Sequence, residues 1–162
     1  MTRHFVPQTL YIARQGLPIL RHLSQFSVEG TLPPGVQLAA IEQDPSLASR
    51  LQDSVQSALP GMLAIRPSVR IHLLGYKAWS YQIHAYPDRG GLTIEEAAIA
   101  LTKVVRRAYN DLVGMECLPG GWPLGPGGIT FDQLYLVDVY QVSRGSIQLA
   151  LTAEIPMPTD PI

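Results

Sequence analysis

The stretch Trp79-Ser-Tyr-Gln-Ile-His-Ala-Tyr-Pro-Asp-Arg-Gly-Gly-Leu-Thr-Ile-Glu-Glu-Ala-Ala-Ile-Ala-Leu-Thr-Lys-Val-Val-Arg-Arg-Ala-Tyr-Asn-Asp-Leu-Val-Gly114 changes period partway along. In its first eight residues Trp79, Tyr81, Ile83 and Ala85 alternate with Ser80, Gln82, His84 and Tyr86, the period of two that marks a half-buried strand. Residues 87–91 break the run, because proline cannot donate to a ladder and glycine tolerates a positive φ. Thr93-Ile-Glu-Glu96 then has the form of a capping box, in which the threonine hydroxyl and the glutamate side chain each take a backbone N–H of the other. Ile94, Ala97, Ala98, Leu101, Val104, Val105, Ala108 and Leu112 follow at helical spacing and predict an amphipathic helix with one buried stripe. Glu95 and Glu96 suit the positive end of its dipole, and Lys103, Arg106 and Arg107 lie in its second half. Gly114 is the expected stop.

Upstream, residues 69–74 (Val-Arg-Ile-His-Leu-Leu) read as a second strand, joined to Trp79 by a short connection, so the two are expected to form a hairpin. Val69, Ile71 and Leu73 then share a face with Trp79, Tyr81 and Ile83, leaving Arg70, His72, Gln82 and His84 on the other. Asp44-Pro45 predicts a helix start, with Leu47, Leu51, Val55 and Leu59 on one i, i+4 line and a stop at Pro60-Gly61. Residues 17–26 carry Ile19, Leu20, Leu23 and Phe26 at helical spacing after Pro18. Residues 36–41 fit a strand or a short helix equally. Residues 1–16 read as an arm with a short strand around 9–13.

Downstream, residues 114–128 form a long glycine- and proline-rich loop, of a kind that in compact domains is usually functional or mobile. Thr130 is placed to cap a helical turn. Residues 134–142 are rich in β-formers and read as a strand buried on both faces near its middle. Ser143-Arg-Gly145 turns the chain, and Ile147, Leu149 and Leu151 alternate on the return. The expected fold is α+β: a mainly antiparallel sheet built from two hairpins, with a long crossover helix and one or two further helices on one face.

The 162 residues are long enough for a single domain that buries about 70% of its unfolded surface. The reading is one domain over 1–162, with the arm at 1–16 and a proline-rich tail at 154–162. Net charge is −1, so binding that rests on neutralising phosphates, and with it a nucleic-acid partner, is not expected. The single cysteine, Cys117, excludes an intrachain disulfide and fits a reducing compartment. No signal-type apolar run opens the chain and none reaches spanning length, so a cytoplasmic protein without a membrane partner is expected.

Residues 69–151 resemble a fungal family common in mushroom-forming species, domain of unknown function 6699. The likeness rests on Trp79 with its alternating strand, the turn Gly91-Leu-Thr-Ile94, the segment Gly128-Ile-Thr-Phe-Asp-Gln-Leu134 and the closing Gly145-Ser-Ile-Gln-Leu149. It implies the same α+β fold and brings no activity, since that family is assigned none. The loop here departs from the family by being glycine- and proline-rich rather than charged.

Candidate chemistry is sparse. Cys117 is a nucleophile only if His84 or His72 reaches it as base; otherwise it is an inert loop cysteine. His72 and His84 side by side on a polar face would make a metal pair, but no third ligand is spaced for it and Arg70 repels a cation, so neither a metal nor a cofactor is expected. Glu95 and Glu96 are accounted for by capping. Asp138, inside an apolar strand, requires a partner. Arg89, Lys103, Arg106 and Arg107 form a basic patch or a solvated helix face. The loop either presents Trp122 and Leu124 to a partner or closes over the domain's own core. The first expectation is thus a non-catalytic interaction or self-assembly domain whose partner is itself or another protein, with Trp122, Leu124, Phe5, Ile155 and Met157 as interface residues. The alternative is a small-molecule-binding or hydrolase-like enzyme using Cys117 with a hairpin histidine.

Overall fold

The computed structural model describes residues 2–15 and 18–156. In chain order its strands are β1 (Thr2–Phe5), β2 (Arg21–Gln25), β3 (Val36–Gln37), β4 (Ser68–Ile71), β5 (Trp79–Gln82), β6 (Leu134–Ser143) and β7 (Ser146–Ile155). Its α-helices are α1 (Leu38–Gln43) and α2 (Ile94–Leu112). The class is α+β, with all seven strands in one mostly antiparallel open sheet.

The long pair β6–β7 is the centre. On its outer side β6 carries β2 and β3; β7 carries β4, in parallel, along its first residues and β1, antiparallel, along its last. Beyond β4 lies β5, in the register Ser68↔Gln82, Val69↔Tyr81, Arg70↔Ser80 and Ile71↔Trp79. The sheet therefore exceeds a scheme of two hairpins, because three strands come from the first 37 residues. The arm's strand is at 2–5 rather than 9–13. Residues 7–9 then pair with residues 72–74 through Thr9 N–H to His72 O and Leu74 N–H to Pro7 O, filling the gap where β4 ends.

A bulge at Val137 sets which residues of β6 face the core. Leu136 lies opposite Leu151, yet the next partner of Ala150 is Asp138, so Val137 is an extra residue. Without that bulge Val137 would pair with Ala150, and the period of two would turn Asp138 toward the core. With it, Val139 takes that place opposite Leu149, and Asp138 emerges on the other face, where His22 Nε2 lies 2.8 Å from its Oδ1. This is the partner an aspartate in an apolar strand requires.

α2 forms as its sequence predicts. Thr93 Oγ1 accepts the Glu96 N–H at 3.1 Å and Glu96 Oε1 accepts the Thr93 N–H at 3.2 Å. Its buried side chains are the predicted apolar set plus Thr102, whose hydroxyl donates to Ala98 O. The helix ends without a left-handed glycine: Val113 stays right-handed, and Gly114 is not among the positive-φ glycines. The Trp79 indole N–H donates to Asp111 Oδ2 at 2.9 Å, and the Arg107 guanidinium lies 4.5 Å from the Tyr81 ring centre. These two contacts run α2 back along β5 in the opposite direction.

Two predicted helices are absent. Residues 21–25 form β2, since pairing along β6 overrides the weak helical spacing around Leu20 and Leu23. After Asp44, whose carboxylate accepts the Ser46 N–H as predicted, only the short 3-10 helix Pro45–Arg50 forms. Asp53 is left-handed and Val55 is 79% exposed, so the i, i+4 line through Val55 and Leu59 is not used. The carbonyls of Ser54 and Gln56 instead accept the N–H groups of Glu95 and Ile94. They satisfy donors that the first turn of α2 would otherwise leave open. Residues 36–41 divide between β3 and α1.

Candidate functional site: the groove beside the edge strand

β5 is an edge strand among the described residues, and its outward side can be read from its bonds. Ile83 N–H donates to Pro67 O and Ala85 N–H to Ile65 O, while Ser68 N–H turns away to Gly145 O. In an antiparallel pair these directions alternate, so the backbone groups of Ser80, Gln82 and His84 point away from β4. An open row of this kind is a template for another strand.

Between this edge and α2 runs an open groove of about 650 Å³. Its apolar lining comes from Ile83, Leu92, Ile99, Ala100 and Val104. Tyr81, His84 and Tyr86 stand on the strand side, and Arg89, Lys103 and Arg107 supply charge. Glu96, the one carboxylate in the lining, is engaged by Arg89 at 2.7 Å and by Thr93. Hydrogen bonds from Thr93, joined by the charge of Arg89, hold its carboxyl below the usual range. Three cations against one neutralised carboxylate make this groove positive on a chain whose net charge is −1.

Local strain marks one end. Tyr86 is left-handed, with φ 50° and ψ 53°, an arrangement that is uncommon outside glycine. It is held by its own N–H to His84 Nδ1, by the Arg89 and Gly91 amides on its carbonyl, and by the Arg89 guanidinium 4.3 Å from its ring centre.

The basic patch seen in the sequence divides. Arg106 lies about 100° round the helix from Arg107, and it turns away to a bidentate pair with Glu42 at 2.8 and 2.7 Å, over the Phe131 ring. Arg89, Lys103 and Arg107 go to the groove.

The histidines are not neighbours. The register sets His72 across from position 78, six residues along from His84, a separation of about 20 Å at strand rise. His72 packs edge-on against Tyr11, and burial, then Arg70, lowers its pKa from the usual 6.5. His84 stacks on Tyr86 at 4.1 Å. Cys117 is half-buried: its thiol lies so close to Gly75 and Gly121 that a Cβ on either would fall 2.7–2.8 Å from the sulfur. It donates weakly to Leu118 O and has no hydrogen bond to a histidine among the described residues. Among those residues no three His, Cys, Asp or Glu side chains gather to hold a metal ion.

The glycine-proline loop is folded onto the domain. Leu124 N–H donates to Tyr76 Oη at 2.9 Å, Tyr109 Oη donates to Ile129 O at 3.0 Å, and Leu124 is only 8% exposed. Leu124 is therefore a core residue rather than one offered to a partner, and Trp122 is half-buried against the core beside it. Phe5, at the end of β1, is 62% exposed; Ile155 is half-buried opposite Thr2 within β7, so the strand takes the first two residues assigned to the tail. Met157 lies outside the described residues.

Sequence reasoning placed Lys103 and Arg107 in a basic patch but did not bring Tyr81 and Tyr86 to them. The available signal was the four-residue spacing of Lys103 and Arg107, which places both on one line of α2. Compared with known protein families, with curated proteins and with solved structures, the chain matches none. No helix among the described residues is long and apolar enough to cross a membrane.

Proposed function

We propose that this protein is a non-catalytic interaction domain that binds a partner chain by strand addition at β5. The observation that carries the reading is the outward backbone row of Ser80, Gln82 and His84 beside the groove under α2. Main-chain bonds along such a row supply affinity and the adjoining groove supplies side-chain selection. Membership of the fungal family that residues 69–151 resemble belongs to the same proposal and adds no activity. The test is selection of displayed linear peptides on the immobilised chain, followed by mapping of each winner through backbone amide shifts. Winners should move Ser80, Gln82 and His84. Gln82→Pro removes one outward donor without touching a bond to β4, and should abolish capture while the variant stays folded. Winners that bind Gln82→Pro unchanged would sink the reading.

A second reading, self-association, is favoured by one further observation. Phe5, Leu10 and Leu20 are 62%, 49% and 63% exposed and share a groove of about 330 Å³ on the face opposite α2. Exposed apolar clusters mark contact surfaces. Light scattering after size exclusion should then give an oligomer that Phe5→Ser dissociates; a monomer at high concentration removes this reading.

A further inference from the structure

We infer that the segment received by the groove is acidic: an extended stretch of a partner protein with carboxylate side chains at alternate positions. The inference rests on the strand-addition reading and adds the chemistry of the occupant. Lys103 and Arg107 are four residues apart on α2, about 6 Å of helix rise. Alternate side chains on an extended strand are about 6.8 Å apart and point the same way. Because α2 runs back along β5, a strand added to Ser80, Gln82 and His84 presents such side chains to these two cations in step.

The charges at the two ends of the groove differ. Toward Tyr86, Arg89 already has Glu96 as its carboxylate. Toward Tyr81, neither Lys103 nor Arg107 has a carboxylate partner among the described residues, and Arg107 lies over the Tyr81 ring instead. The unmet positive charge is thus concentrated over the part of β5 whose backbone is open. The same two cations disfavour a second copy of this chain as the added strand, since pairing β5 with its own copy brings like charges together. A single-stranded nucleic acid would also find cations and aromatic rings here. The outward backbone row, which bases cannot pair with, and the net charge of −1 favour a peptide.

The test uses the full chain, ¹⁵N-labelled, titrated with the capped peptide Thr-Glu-Val-Glu-Val-Glu-Thr and with its counterpart carrying Gln for each Glu. The acidic peptide should shift the amides of Ser80, Gln82 and His84 and bind about tenfold tighter than the neutral one, the advantage expected of two exposed ion pairs. That advantage should vanish in the double variant Lys103→Gln with Arg107→Gln, and fade in high salt. Both side chains are exposed, and unchanged thermal unfolding of the variant checks that the fold is kept. Equal affinity for the two peptides overturns the acidic occupant and leaves strand addition standing. No shift with either peptide overturns both. An oligothymidylate that binds tighter than the acidic peptide and loses its affinity in the double variant assigns the groove to nucleic acid and overturns the inference.

Discussion

The indole N–H of Trp79 donates to the carboxylate of Asp111 across 2.9 Å, joining the first residue of β5 to the last turn of α2. Trp79 is buried, whereas Asp111 is exposed, so the bond holds a strand edge that has a neighbour on one side only. It ties α2 to the strand that borders the groove, where the helix runs back along β5.

Removing that acceptor should loosen the groove and lower stability together. Asp111→Ala is expected to cost about 1.5–3 kcal/mol, the range for a hydrogen bond to a charged group. Asp111→Asn, which keeps an acceptor, should cost less. Urea denaturation of the three proteins checks the order, and an Ala variant as stable as the parent would show that the bond contributes nothing.

The capping box gives a second expectation. Thr93→Ala removes the acceptor for the Glu96 amide and should destabilise the protein by about 1 kcal/mol. Thr93→Ser should restore most of it. Thermal unfolding separates the two variants.

Acid should weaken the fold in two stages. Burial, then Arg70, lowers the His72 pKa from 6.5, so the unfolded chain takes this proton more readily than the folded one. The corresponding stability is complete above pH 6.5 and is lost as pH falls below it. Hydrogen bonds from Arg106 and Thr93 lower the carboxyls of Glu42 and Glu96 from 4.5. Their contribution is complete above pH 4.5 and disappears as pH drops through the lowered values. The melting temperature should therefore be flat above neutrality, decline from about pH 6.5 and fall more steeply under about pH 4.5. His72→Phe should flatten the first limb; Glu42→Gln with Glu96→Gln should flatten the second. A wild-type curve level from pH 7 to pH 5 would contradict the lowered pKa of half-buried His72.

The bulge can be tested by deletion. Removing Val137 makes β6 regular while Asp138 stays opposite Ala150 on the face of His22 and Val139 stays opposite Leu149. The Phe26 N–H, which donates to Val137 O, loses its acceptor, so the variant should unfold cooperatively but about 1–3 kcal/mol less stably. Replacing Val137 with Ala keeps the count of residues and should leave unfolding cooperative. Circular dichroism melts of both distinguish a requirement for the extra residue from a requirement for its side chain.

The sequence reveals α2 because cap, period and dipole charges all lie within residues 93–112. It reveals strands at β5, β6 and β7 for the same local reason. β2 is not legible, because residues 21–25 become a strand only against β6, more than a hundred residues away. Residues 51–59 mislead: their leucines repeat at helical spacing, yet the carbonyls of Ser54 and Gln56 are engaged at the start of α2. Asp138 is legible as an anomaly, but the extra residue that resolves it looks like any other valine. The groove divides in the same way. Its tyrosines and cations are visible as strand alternation and helix charge, while their meeting depends on how α2 crosses β5.

The pairing of the first strands sets an order for folding during synthesis. β1, β2 and β3, within the first 37 residues, pair only with β6 or β7, which begin at residue 134. Nearly a hundred residues must leave the ribosome before any of these three finds its neighbour. Contacts of such long separation close slowly, and the waiting segment carries Phe5, Leu10, Leu23 and Phe26. The start of the chain therefore depends on its last quarter, and a slowed ribosome between residues 40 and 134 would lengthen the time these side chains stay open to chaperones or to one another.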